Sequence, residues 1–93
     1  MKESAIEKEA RLAVEALGGE LLKIKCVGRR GFPDRIALLP GGRIAFIEFK
    51  QPGKRPRAEQ FRWLHSLRQL DFEAFWTHDA KDVSEWADYA PRR

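Results

Sequence analysis

The 93-residue sequence predicts an α/β protein in the order αβββαβα, a mixed sheet with helices packed on it. Three observations carry that expectation. A serine–glutamate capping signature opens a helical stripe near the N-terminus. Two β-like runs follow, joined by Pro40-Gly41-Gly42. After them a second helical stripe leads into one further strand, Glu73-Ala74-Phe75-Trp76-Thr77.

The elements follow in order. Ser4-Ala5-Ile6-Glu7 fits the S-x-x-E pattern, and Ile6, Ala10, Ala13, Val14 and Leu17 recur at helical spacing until Gly18-Gly19 ends the helix. A strand is expected over residues 21–27, with Cys26 as a small buried side chain. The loop Gly28-Arg29-Arg30-Gly31-Phe32-Pro33 comes next, then strands over 34–39 and 43–50. A second helix over about 57–70 buries Phe61, Leu64, Leu67 and Leu70. Asp79 caps a short last helix bearing Val83, Trp86 and Tyr89. That helix and the tail Arg92-Arg93 are candidates for contact with a binding partner or with a second copy. Trp63, Trp76 and Trp86 read as core, and His65 and His78 have neither metal-ligand spacing nor a nucleophile partner.

Composition narrows the classes. The chain is expected to form one domain, 1–93, large enough for one thin core. One cysteine excludes an intrachain disulfide and a multi-cysteine zinc site. No apolar run reaches membrane-spanning length, and the charged N-terminus is unlike a signal peptide, so a cytoplasmic protein is expected. Charge is uneven. Residues 20–70 hold 12 Lys/Arg against 4 Asp/Glu, a balance of +8, while the remainder holds 6 against 10, a balance of −4. Such clustering fits a polyanionic partner, nucleic acid first, or else a solvated basic face.

The hairpin holds the chemistry. With Pro40-Gly41-Gly42 as a three-residue loop, Leu39 faces Arg43 and paired residue numbers sum to 82. Asp34 then lies across from Glu48, with Cβ atoms about 4.5–5.5 Å apart. Lys50 projects from the same face. That face otherwise reads Ile36, Leu38, Ile44 and Phe46, and the opposite face is equally apolar, so both should be covered. Two carboxylates so close repel each other, and burying them costs several kcal/mol unless something compensates. A divalent cation would do so, and hard carboxylate oxygens suit Mg²⁺ or Mn²⁺. Lys50 could position a water or stabilise charge developing on a phosphate.

Each of these residues also has a plainer explanation. Glu48 and Lys50 could form a rim ion pair, and Asp34 could be a turn carboxylate after proline. Their convergence within a basic segment favours the functional reading. Glu7 is explained by the capping box, yet it borders the apolar stripe and could reach the sheet edge. Gln60 shares the side of Leu64 and Leu67 and is either a rim residue or an amide aimed at the sheet end.

With Glu7, GRRGFPDR at 28–35, IEFK at 47–50 and Gln60 in EQFRWLHSL at 59–67, the chain resembles the VRR-NUC family of the PD-(D/E)XK nuclease superfamily. The resemblance covers about residues 4–78, and the joined pattern is far more specific than any of its pieces. It implies a restriction-endonuclease-like αβββαβ core. Asp34 and Glu48 would bind metal, with Glu7 as a further acidic ligand, Lys50 as the catalytic lysine and Gln60 as an accessory group. It also implies a homodimer that cleaves branched DNA, notably four-way (Holliday) junctions. Phe32 replaces the small aliphatic residue common before the PD, and Asp71 stands where glycine often ends the second helix. Neither touches the active-site pattern.

The expected function is a divalent-metal-dependent DNA endonuclease. Arg29, Arg30, Arg35, Lys54, Arg55 and Arg57 would hold phosphates beside the cut. No base-reading motif is present, so recognition by DNA shape is expected. The alternatives are a non-catalytic nucleic-acid-binding module, or a nuclease for flaps or single strands.

Overall fold

The computed structural model describes residues 4–89, so the tail Arg92-Arg93 lies outside the described residues. Seven elements follow the predicted order. They are α1 (Ala5–Ala16), β1 (Glu20–Lys23), β2 (Arg35–Leu39), β3 (Arg43–Phe49), α2 (Ala58–Gln69), β4 (Glu73–Thr77) and α3 (Ala80–Asp88). The strands form one mixed sheet in the order β1-β2-β3-β4. The first three run antiparallel and β4 is parallel to β3. Among the described residues, no helix is long and apolar enough to cross a membrane.

Alternation along β2 and β3 sends side chains to two different layers. Ala37, Leu39, Ala45 and Ile47 meet Ala10 and Val14 of α1 and Ala80, Val83 and Ala87 of α3. Burying a side chain such as Ile47, Val14 or Val83 stabilises the fold by about 1.5–3 kcal/mol. On the other face Phe46 and Trp76 join Leu64 and Leu67 of α2 and Ala74 of β4. Both faces were expected to be covered, but the second is covered only in part. Ile36, Leu38 and Ile44 remain half-buried there, and Leu22 beside them is exposed.

The hairpin register is the expected one, running from Leu39 opposite Arg43 to Arg35 opposite Ile47. The first strand, however, is shorter than expected. Its ladder to β2 ends where the Ile24 N–H donates to the Asp34 carbonyl at 2.8 Å. Pro33 comes next on the partner side and has no N–H to donate, so the pairing cannot continue. Cys26 therefore lies in a loop and is exposed, contrary to the expectation of a buried strand residue.

The helix ends follow local chemistry. Ser4 Oγ accepts from the Glu7 N–H at 3.1 Å and starts α1. Both α1 and α2 end in paired bonds back to the last turn: Gly18 to Glu15 and Gly19 to Val14, then Asp71 to Arg68 and Phe72 to Leu67. Gly19 is dictated by space, since a Cβ there would sit 2.1 Å from the Leu38 carbonyl oxygen. Asp71 takes the left-handed position of its motif with φ 68°, a conformation that Asp tolerates better than most residues. At the far end, Arg43 donates to the Trp86, Ala87 and Tyr89 carbonyls and so closes α3 from the sheet.

Candidate active site

The site is built where β2 begins and β3 ends. Asp34 immediately precedes β2, after the fully buried Pro33. Its backbone carbonyl takes bonds from Ile24 N and, at 3.2 Å, from Arg35 Nη1. Its own side chain is half exposed. Glu48 sits near the end of β3 on the α2 side and is 7% exposed. Lys50 follows just beyond the strand, with Nζ 3.9 Å from Glu48 Oε2. Its backbone N–H donates to the Thr77 carbonyl at 2.9 Å, which extends the β3–β4 ladder past Phe49.

Gln60 completes this group and is itself buried. It occupies the third position of α2, where its side-chain oxygen accepts from the Arg57 N–H at 2.8 Å and caps the helix. With the oxygen so engaged, its amide nitrogen is turned to Glu48 Oε2 at 3.3 Å. The capping bond sets which end of the amide the acid meets.

Electrostatics mark Glu48 apart. Its pKa is pushed up from 4.5 to about 7, first by desolvation and then by the charge of Asp34, against the opposing pull of Lys50, Arg57 and Arg35. Desolvation beside a second acid thus outweighs the combined pull of three cations, and little water reaches the carboxylate to offset it. That donor set fits a divalent cation, and Asp34 and Glu48 are the residues that could hold it.

Glu7 stands differently. Its Oε2 pairs with Arg35 Nη2, and Arg35 reaches on to Asp34 Oδ1 at 3.3 Å. Its other oxygen lies 3.5 Å from the Ser4 N–H and closes the capping box. Among the described residues, no three His, Cys, Asp or Glu side chains converge as a metal cluster. The structure therefore brings Asp34, Glu48, Lys50 and Gln60 together and ties Glu7 to Arg35. Arg35, expected to face phosphate, is 13% exposed and paired with both acids.

The other basic residues expected to meet phosphate, Arg29, Arg30, Lys54, Arg55 and Arg57, are exposed. Glu59, to which the sequence alone assigns no role, holds Arg30 Nε at 3.6 Å and Arg57 Nε at 3.4 Å. Arg55 lies over the Phe61 ring, 6.0 Å from its centroid. The loop carrying Arg29 and Arg30 is pinned on α2 in three ways. Trp63 Nε1 donates to the Arg30 carbonyl at 3.0 Å, and Phe32 packs edge-on between Phe46 and Trp63. Gly31, at φ 83°, fits so tightly that a Cβ would come 2.9 Å from Glu59. The signal that could have found Glu59 is an acid in the first turn of a helix flanked by arginines.

Comparison with known proteins finds both a sequence relative and a structural one. No family model matches the chain. The chain is 44% identical over 84 residues to a protein of Acyrthosiphon pisum secondary endosymbiont phage 1 named "Putative nuclease p44", covering 90% of this chain and 89% of that one. It also superposes on a solved structure described as a VRR_NUC domain. That match has TM-score 0.80 and 32% identity, and covers 90% of this chain and 91% of the other.

Proposed function

The chain belongs to the VRR-NUC nuclease family, and from that premise we propose that it is a divalent-metal-dependent endonuclease cutting branched DNA, four-way junctions above all, as a homodimer. The observation that carries the reading is the buried Glu48 beside Asp34, with its pKa lifted to about 7 and Lys50 and Gln60 against it. A purely structural acid gains nothing from being desolvated beside a second carboxylate, whereas a metal-binding pair does.

Asp34 and Glu48 would hold Mg²⁺ or Mn²⁺. When bound, the cation supplies Lewis-acid polarisation of a phosphate oxygen and acidifies a water. The chain's own residues supply the rest. Lys50, a half-buried ammonium at the strand end, donates to the attacking water or to the phosphate oxygen that gains charge. Gln60 holds the Glu48 carboxylate in one orientation. Arg29, Arg30, Lys54, Arg55 and Arg57 hold flanking phosphates, which gives affinity that falls steeply with salt. These contacts address the backbone, so the preference is for DNA shape. In a two-fold dimer, two such sites would nick opposed strands of a junction. We place the reaction in the cytoplasm.

The test is a labelled four-way junction beside a matched linear duplex, with Mn²⁺, Mg²⁺ or EDTA and with Lys50→Ala alongside. Paired nicks in the junction, absent with EDTA and reduced about 10²–10³-fold by Lys50→Ala, are expected. Binding without cleavage in either metal would leave a nucleic-acid-binding module. Equal cutting of both DNAs would keep the nuclease and remove the junction, and faster cutting of flaps or single strands would reassign the substrate.

A further inference from the structure

We propose that Val27 is a wedge that enters the base stack where DNA branches, and that this apolar contact, not the arginines around it, distinguishes branched from linear DNA. This rests on the reading of the chain as a nuclease for branched DNA.

Val27 is 85% exposed, more than any other large apolar side chain among the described residues. A single exposed valine on a loose segment would mean nothing. This one stands on a built loop. Two β-turns follow each other, closed by the Arg29 N–H on the Cys26 carbonyl and by the Phe32 N–H on the Arg29 carbonyl, both at 3.3 Å. Each has glycine at its third position, Gly28 at φ 82° and Gly31 at φ 83°, as a type II turn requires. Val27 and Arg30 therefore take the two turn tips. A Cβ on Gly28 would meet nothing within 4 Å, so glycine stands there for its backbone alone. Below the tips the loop is anchored by Trp63 on the Arg30 carbonyl, by the Phe32 ring and by the buried Pro33. Valine adds a side chain that is itself stiff about χ1.

The loop also begins and ends at the active site, because the Ile24 N–H donates to the Asp34 carbonyl. Val27 is three residues from Ile24, so its Cα lies within about 11 Å of that bond, roughly three base-pair steps along DNA. Lys25, Arg29 and Arg30 are exposed on either side of it. Those cations suit phosphates, but every duplex has phosphates, and such contacts give no reason to prefer a branch. What a branch adds is a base-pair face without a continuous stack. An apolar wedge entering an intact duplex must first unstack a base step, whereas a branch offers the step already open. A stiff apolar tip between cations matches that place, with charges for the backbone on each side and methyl groups for the base face.

The experiment measures binding to a labelled four-way junction and a matched duplex by fluorescence anisotropy. It uses EDTA and low salt, where phosphate contacts are strong and no metal-dependent cut occurs. Val27→Ser should weaken junction binding about tenfold, the effect of one apolar side chain losing its buried contact, and duplex binding by no more than about twofold. Val27→Leu keeps an apolar tip and should stay within about threefold of wild type on the junction. A 2-aminopurine beside the branch should brighten with saturating wild type or Val27→Leu and stay near the free-DNA level with saturating Val27→Ser. The urea midpoint of Val27→Ser should match wild type, since the side chain is exposed. Equal losses on junction and duplex, or an unchanged 2-aminopurine response in Val27→Ser, overturn the inference alone. A Val27→Ser protein that sediments differently from wild type makes Val27 a contact between copies and overturns it too. If the wild type binds the junction no better than the duplex, the branched-DNA reading fails and the inference with it.

Discussion

Replacing Glu48 with glutamine should make the metal-free protein more stable, by a margin that opens as pH rises from 4.5 to about 7. The folded protein holds the Glu48 proton up to about pH 7, while an ordinary glutamate releases it near 4.5. Between those values the native state binds more protons than the unfolded chain, so stability declines as pH rises through that window. The full loss is roughly 3 kcal/mol, reached just above pH 7 and constant beyond it. Glutamine has the same shape, still accepts from the Gln60 amide, and carries no charge to desolvate. Urea denaturation of both proteins in EDTA, from pH 4 to 8, isolates the effect, since the other titrating groups cancel in the difference. Equal stabilities near pH 4 and a gap approaching 3 kcal/mol at pH 8 are expected. Added Mn²⁺ should then raise the wild type at pH 8, by about 2.7 kcal/mol at a hundredfold excess over Kd, and leave the variant unchanged. Parallel profiles within about 0.5 kcal/mol, well inside the shift expected from linkage, would refute the account of Glu48 as a strained acid.

Three further outcomes follow from the described geometry. Gln60→Ala removes the cap on the Arg57 N–H and the partner of Glu48, and thermal melts should show a loss of about 1–2 kcal/mol. Asp71→Gly relieves a left-handed backbone at the end of α2, and equilibrium unfolding should show a gain of about 0.5–1 kcal/mol without change in cleavage rate. Arg29→Ala with Arg30→Ala should lower the slope of log affinity against log salt by about 0.9 for each phosphate no longer neutralised, read by fluorescence anisotropy on duplex DNA.

How far the sequence carries can be judged at particular residues. The three-residue turn at Pro40-Gly41-Gly42 fixes the parity of the hairpin, and parity alone puts Asp34 and Glu48 on one face. The capping signatures locate the start of α1 and the last helix because they are local chemistry. What escapes depends on distant partners. Nothing near Cys26 says that Pro33 ends the ladder opposite it. Arg35 alternates onto the otherwise apolar face of Ala37 and Leu39, and a guanidinium there needs a carboxylate from the helix above. Glu7 is the acid at hand, but its separation of 28 residues hides the pairing from any local pattern. Glu59 is hidden because acids on helices usually mean nothing, and only the docking of the Gly31 loop brings Arg30 to it beside its neighbour Arg57.

The two hydrogen bonds of Gln60 restrict what this position can become over time. The cap on α2 needs a side chain of this length with an oxygen at its end, which only glutamine and glutamate provide. The two are single-base neighbours in the genetic code, so that exchange is tried often. Folding alone would accept either. Glutamate, however, would set a third negative group against an acid already desolvated beside Asp34, and would remove the amide hydrogen that Glu48 accepts. Drift at position 60 is thus confined by two unrelated demands, one from the helix and one from the chemistry, that meet in a single amide.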